Sequence, residues 1–344
     1  MIREMIPKIH ALIFFLALSF PLPAQGEEAP RGRNPYAEIL PKLVRFQQPE
    51  FLTYDELTQL ADTPRPTGEL KRKVDTLLRK PFISNEAAFR GARPREPYDP
   101  RFGKFLRVMS WNIEKSMKLD EAILAFTHPQ GFGMLIDTGR FPPGSVGYEE
   151  ALTERYLLSD VDVIILQEMD MGMKRSGYKN SPKELAEALA MNYVYAPAYL
   201  EIDRVNLGIE RFQNPDGTYN RQMEELIAAD PKRYLGMFGS AVLSRYPILD
   251  VQVIPLKHQG YDWYEAEKQK VSLLETARRE AAETVFVETL LREMKLGGRH
   301  FFRVDLYMPA LPEKKLTLIN VHLEIKCLPQ ARESEIQEIL TYIK

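Results

Sequence analysis

From Phe105 onward the apolar positions fall in short runs bounded by polar or turn residues, the pattern of buried strands. Phe105 to Trp111 alternates loosely, and Val161 to Leu166 is almost continuously apolar, which suits strands covered on both faces. Ser240 to Ser244, Leu249 to Leu256, Phe301 to Tyr307 and Leu316 to Leu323 predict four more. Ser181-Pro182-Lys183-Glu184 has the form of a capping box with proline at the first helical position, so a helix is expected from there to about Asn192. Residues 257–298 form an insertion, helical from about Tyr264 to Lys295 and closed by Gly297-Gly298. Pro329 opens a helix that runs to Lys344.

Residues 27–104 have a different texture. Prolines at 30, 35, 41, 49, 64, 66, 81, 94, 97 and 100 forbid long helices but leave room for two short ones. Thr53-Tyr54-Asp55-Glu56 is a capping box whose helix must end before Pro64. Thr67 is placed to cap a second helix, with Leu70, Val74, Leu77 and Leu78 on one face and Pro81 behind it. This narrow apolar face predicts a mainly helical extension docked on an α/β domain spanning 105–344.

At the start of the chain, Arg3 and Lys8 precede the apolar run Ala11 to Phe20, and Ala24-Gln25-Gly26 supplies small residues after it. The run is too short to span a bilayer of about 30 Å, and the order of features predicts a secretory signal over residues 1–26. The expected location is therefore secreted or periplasmic. No other window is apolar enough to predict a transmembrane segment.

Composition narrows the classes further. With 44% hydrophobic and 27% charged residues in 344, wholesale disorder is excluded. The net charge of −2, from 46 basic and 48 acidic residues, provides no global basic field for nucleic acid. Loss of Arg3, Glu4 and Lys8 with the leader moves it to −3. No basic run or interleaved aromatic-basic stretch marks a nucleic-acid track. Cys327 is the only cysteine, so a disulfide framework and a multi-cysteine zinc site are both excluded.

Three predicted strands end in polar residues that packing alone does not select. They are Asn112-Ile113-Glu114 after Trp111, Gln167-Glu168 after Leu166, and Asn320-Val321-His322-Leu323-Glu324 after Ile319. A carboxylate costs several kcal/mol to desolvate unless a metal or hydrogen bonds receive it. Taken singly, Glu114 reads as a solvated turn residue, Glu168 as a charge at a helix or loop N-terminus and His322 as a hydrogen-bonded core histidine. Neighbouring strand ends can also converge on one rim of a sheet, where sites in layered α/β folds lie.

The order Trp-Asn-Ile-Glu, Leu-Gln-Glu, Ala-Val-Leu-Ser-Arg-Tyr-Pro-Ile and Asn-x-His-Leu-Glu resembles the endonuclease/exonuclease/phosphatase superfamily, over about Phe105 to Lys344. The resemblance implies a two-sheet sandwich flanked by helices and a metal-dependent phosphoesterase. It implies that Glu168 is the principal ligand of Mg²⁺ or Mn²⁺ and that Glu114 is an acidic position binding or orienting metal. Asn112 would sit beside the phosphate, and His322 would face the scissile group. Arg245 would either reach phosphate or buttress its turn, and Asp170 and Arg175 would shape the pocket or stay solvated. Ser240 stands where the family usually has Asn.

Two family motifs are missing: Gly-Asp-x-Asn, whose Asp activates water, and a C-terminal Ser-Asp-His. The expectation is therefore an incomplete catalytic domain, C-terminally truncated and inactive as it stands. The alternative is an exported binding or scaffold protein that keeps the fold without the chemistry. An unrelated α/β hydrolase is disfavoured because no Gly-x-Ser-x-Gly turn occurs. The expected substrate is a phosphate ester, with nucleic acid, lipid head group and small phosphoester all open. The sequence sets no oligomeric state.

Overall fold

The computed structural model describes residues 12–16 and 34–344 except 96, 102, 129, 160, 215, 269–291 and 312. The strands are β1 Leu12–Leu16, β2 Phe46–Gln47, β3 Phe82–Ser84, β4 Tyr98–Asp99, β5 Gly103–Lys104, β6 Leu106–Asn112 and β7 Val163–Met171. They continue with β8 Asn192–Glu201, β9 Met237–Ser244, β10 Ile248–Pro255, β11 Lys295–Gly297, β12 His300–Tyr307 and β13 Lys315–Val321. The helices used below are α1 Tyr54–Asp62, α2 Gly68–Arg79, α3 Glu86–Phe89, α4 Leu119–Thr127, α5 Val146–Ser159, α6 Ser181–Ala188, α7 Arg221–Ile227, α8 Trp263–Glu267 and the final helix Pro329–Ile343.

These elements make a mixed α/β fold, and its two main sheets match the sandwich that the resemblance implied. The larger sheet runs β1-β6-β7-β9-β8-β3-β2, with β11 also paired to β8, and the smaller runs β10-β12-β13. Only the β6–β7 pair among these is parallel, and α4 and α5 lie in its crossover. Alternation decides which side chains meet between the sheets. Phe302, Val304 and Leu306 of β12 pack with Val163, Val194, Ala196 and Val242 of the larger sheet. The far face of the larger sheet is covered by apolar residues of α1, α2, α4 and α6. Phe301 turns the opposite way and meets Ile339 of the final helix. The layers are thus helices, sheet, sheet, helix.

Local signals account for several boundaries. Thr53 Oγ1 accepts from the Glu56 amide and Glu56 Oε2 accepts from the Thr53 amide, completing the predicted box on α1. α2 begins after Thr67 as expected, although the Thr67 side chain makes no cap bond. On α6 the cap is one residue earlier than expected. Asn180 Oδ1 accepts from the Lys183 amide, and Glu184 returns to the Asn180 amide. That helix ends at Ala188, not near Asn192, because Asn192 begins β8.

Two other expectations are corrected. The helix expected over Tyr264 to Lys295 is seen only as α8; residues 269–291 lie outside the described residues, and Lys295–Gly297 is a strand on Tyr199–Glu201. Gly297 is no helix cap: a Cβ there would stand 2.2 Å from Ala198 O, so the glycine permits close strand contact. The segment before Phe105 is not helical alone. β3 pairs with Tyr193–Tyr195 and β2 with β3, so it lengthens the larger sheet. Of the expected leader, Leu12–Leu16 is described, and its backbone pairs antiparallel with Leu106–Ser110. No helix among the described residues is long and apolar enough to cross a membrane.

Candidate functional site

Two strands of the larger sheet and one of the smaller bring the three polar segments together, although β7 runs on to Met171, so Gln167 and Glu168 lie within their strand and not at its expected end. Asn112 is in register with Gln167, and the Ile113 amide donates to Gln167 O at 3.0 Å. Gln167 Nε2 donates to Asn320 Oδ1 at 3.1 Å, which joins the larger sheet to β13. Buried Asn320 also donates from Nδ2 to Leu166 O at 3.0 Å and Ala241 O at 2.9 Å. Its amide therefore pins β7, β9 and β13 together.

Glu168 is aimed by an irregularity in its strand. The register of β7 on β9 shifts between Leu166 and Met169, and Glu168 takes φ 56°. A bulge of this kind bends a strand and re-aims a side chain, often beside a site. Its Oε1 lies 3.6 Å from His322 Nε2, just past the end of β13. Burial pushes the His322 imidazole down to about 4, Arg299 adds to that, and Glu168 and Glu324 oppose it. At neutral pH the ring is uncharged, so it does not compensate the Glu168 carboxylate.

Asn112 and Glu114 occupy the adjoining turn and are both exposed. Asn112 Oδ1 accepts from the Glu114 amide at 3.0 Å, so its oxygen is committed to its own chain. Glu114, Lys115 and Ser116 all have left-handed φ, at 47°, 57° and 56°. Each such residue costs about 1–2 kcal/mol for an L side chain. The turn packs on β7, where Ser116 Oγ accepts from the Asp170 amide at 3.3 Å.

Behind these residues lies a chain of charges that sequence reading did not anticipate as a unit. Arg175 is bidentate to both Asp170 and Glu201, at 2.7–2.8 Å. Lys295 contacts Glu201 and Glu293, and Glu293 contacts Lys115 at 2.7 Å. Asp170 and Arg175 are therefore not solvated loop charges. Glu324 is satisfied separately by Trp263 Nε1 at 2.8 Å, Arg299 Nε at 3.0 Å and the Lys326 amide at 2.9 Å. Lys295 and Lys326 also lie over the Trp263 ring, 4.3 and 4.7 Å from its centroid. Of its members the sequence singles out only Asp170 and Arg175, just past Glu168.

Arg245 is a buttress. Its Nε and Nη1 donate to Val161 O and Leu189 O at 3.0 and 3.1 Å. It lines a cavity of about 330 Å³ with Phe126, Leu158 and Leu189, at the end of β7 away from Glu168.

The donor set suits one kind of metal and not another. Among the described residues no cluster of three or more His, Cys, Asp or Glu side chains gathers to hold an ion, so an all-protein cage is not formed. A hard divalent cation that keeps several waters needs only one or two carboxylates, and Glu168 fits that requirement.

No protein-family model matches this chain, and no curated protein matches it. Among solved structures, it is similar to an endonuclease/exonuclease/phosphatase from Beutenbergia cavernae DSM 12333, at 14% identity and a TM-score of 0.33. The match covers 70% of this chain and 44% of that one, less than half its length.

Proposed function

We propose that this chain carries the metal-ligand half of a phosphoester hydrolase site, in an exported protein resembling the endonuclease/exonuclease/phosphatase superfamily. The observation that carries the reading is the facing of Glu168 and His322 at 3.6 Å, beside Asn112, Gln167 and Asn320, which are joined by strand register and a hydrogen bond. Glu168, with Glu114 from the adjoining turn, would hold Mg²⁺ or Mn²⁺ through carboxylate oxygens and water. The cation, when bound, would neutralise charge on a phosphate ester. His322, uncharged at neutral pH, has one ring N–H to donate to a non-bridging phosphate oxygen. Asn112, its oxygen committed, offers its amide nitrogen to the same group.

The 344 residues contain no Gly-Asp-x-Asn or Ser-Asp-His, so the proposal for this chain by itself is metal binding without turnover. Electron paramagnetic resonance titration with Mn²⁺ tests it directly. The chain should bind Mn²⁺, and Glu168→Gln should weaken that binding at least tenfold with an unchanged melt, since only the charge is removed. Equal affinity in the two proteins overturns the metal assignment. EDTA-sensitive hydrolysis of a nitrophenyl phosphodiester by the wild-type chain overturns the absence of turnover.

A further inference from the structure

The Glu114 turn is expensive, and something must hold it. Three successive non-glycine residues in left-handed conformation persist only where surroundings over-determine them. Two of the ties are short in sequence or made to backbone: Asn112 Oδ1 on the Glu114 amide, and Ser116 Oγ on the Asp170 amide. The third comes from far along the chain. Lys115 Nζ is 2.7 Å from Glu293 Oε1, and both side chains are at least four-fifths buried. Solvent ions therefore screen this pair little.

We infer that Glu293 is a positioning residue: by gripping Lys115 it fixes the Glu114–Ser116 turn on β7 and so sets where the Glu114 carboxylate stands relative to Glu168. The inference rests on the metal-binding reading above. The contacts form a closed circuit. Ser116 meets Asp170, which meets Arg175, Glu201, Lys295 and Glu293 in turn, and Glu293 returns to Lys115 beside Ser116. The turn is thus held at two adjacent residues by both ends of one network, which leaves it little freedom to rotate. Burial works to raise the Glu293 carboxyl, yet Lys295 and Lys115 hold it well below the usual carboxylate range. The grip is therefore ionic at neutral pH. Its placement gives the insertion a role: Glu293 lies on its return path, two residues before β11.

The experiment is Mn²⁺ titration by electron paramagnetic resonance on the full chain, with thermal melts of every variant. Glu293→Gln and Lys115→Met should each weaken Mn²⁺ about tenfold, the scale at which outer partners tune metal affinity. The double variant should be no weaker than either single one, and Lys115→Arg should keep near-native affinity. Lys115→Met serves where Glu293→Gln fails to fold, because it leaves Glu293 paired with Lys295. Native Mn²⁺ affinity in folded Glu293→Gln or Lys115→Met, while Glu168→Gln loses it, overturns the inference and leaves the metal reading standing. Absence of Glu168-dependent Mn²⁺ binding in the wild-type chain overturns both.

Discussion

Replacing Asn320 with alanine tests how the site is tied to the core. The side chain is 1% exposed and makes three bonds, two donated to Leu166 O and Ala241 O and one accepted from Gln167 Nε2. Truncation leaves all three partners facing a hole. An orphaned buried polar group costs about 1–3 kcal/mol, and the low end applies here. Carbonyls carry a second lone pair, and Gln167 keeps a weak 3.4 Å bond to Ser110 Oγ. Three such losses at about 1 kcal/mol, with about 1 kcal/mol more for the vacated volume, give about 4 kcal/mol. In urea, with a slope of about 3 kcal/mol/M for a chain of this size, the midpoint should fall by about 1.3 M. Asn320→Asp should be at least as damaging, because it sets a carboxylate against two carbonyl oxygens. A loss below 1 kcal/mol for Asn320→Ala, with an unchanged slope, would refute the argument that this amide pins β7, β9 and β13.

Burial lowers the His300 imidazole to about 4, with Arg299 and His322 adding to the effect. It stays neutral in the fold while the unfolded chain takes up a proton below about 6.5. This histidine should therefore leave stability unchanged above pH 6.5 and cost about 2 kcal/mol between pH 7 and pH 5. Urea unfolding at both pH values should show that part of the slope vanish in His300→Phe, and an unaltered slope would count against it. The proposed leader predicts that material from the native host lacks residues 1–26. Intact-mass measurement decides, and a mature chain retaining Met1 rules it out.

What could be read from the sequence follows from how local each signal is. β6, β7, β9, β10, β12 and β13 were legible because each is an apolar run with polar ends. β8 was not, although it lies inside the larger sheet. Asn192-Tyr193-Val194-Tyr195-Ala196-Pro197 offers no alternation, and Pro197 argues against a central strand. The structure accommodates it where the register with β9 shifts, between Pro197 and Tyr199. Gly239 opposite is required there, since a Cβ would stand 2.2 Å from Ala196 O. Asn112, Glu168, Asn320 and His322 stand out in the sequence because each is a polar residue following an apolar run, which packing alone does not explain. Lys115, Glu201, Glu293 and Lys295 do not, because their pairing spans up to 178 residues and leaves no local pattern. For Arg245 the sequence leaves both readings open, and the bonds from its guanidinium to the Val161 and Leu189 carbonyls decide for the buttress.

The closed circuit of charges also constrains how this molecule can drift. Loss of Lys115 still leaves Glu293 on Lys295, but a neutral residue at Arg175 takes the bidentate partner from buried Asp170, at about 3–5 kcal/mol. That is a large share of the about 5–15 kcal/mol by which a folded protein typically exceeds its unfolded chain. A single step at Arg175 is thus closed to neutral variation, whereas exchange of its whole ion pair with Asp170 for apolar residues of similar volume can be nearly free. Among descendants of this sequence, Asp170 and Arg175 should change together, while the exposed pairs on α2, such as Arg72 with Glu69, are free to wander one at a time.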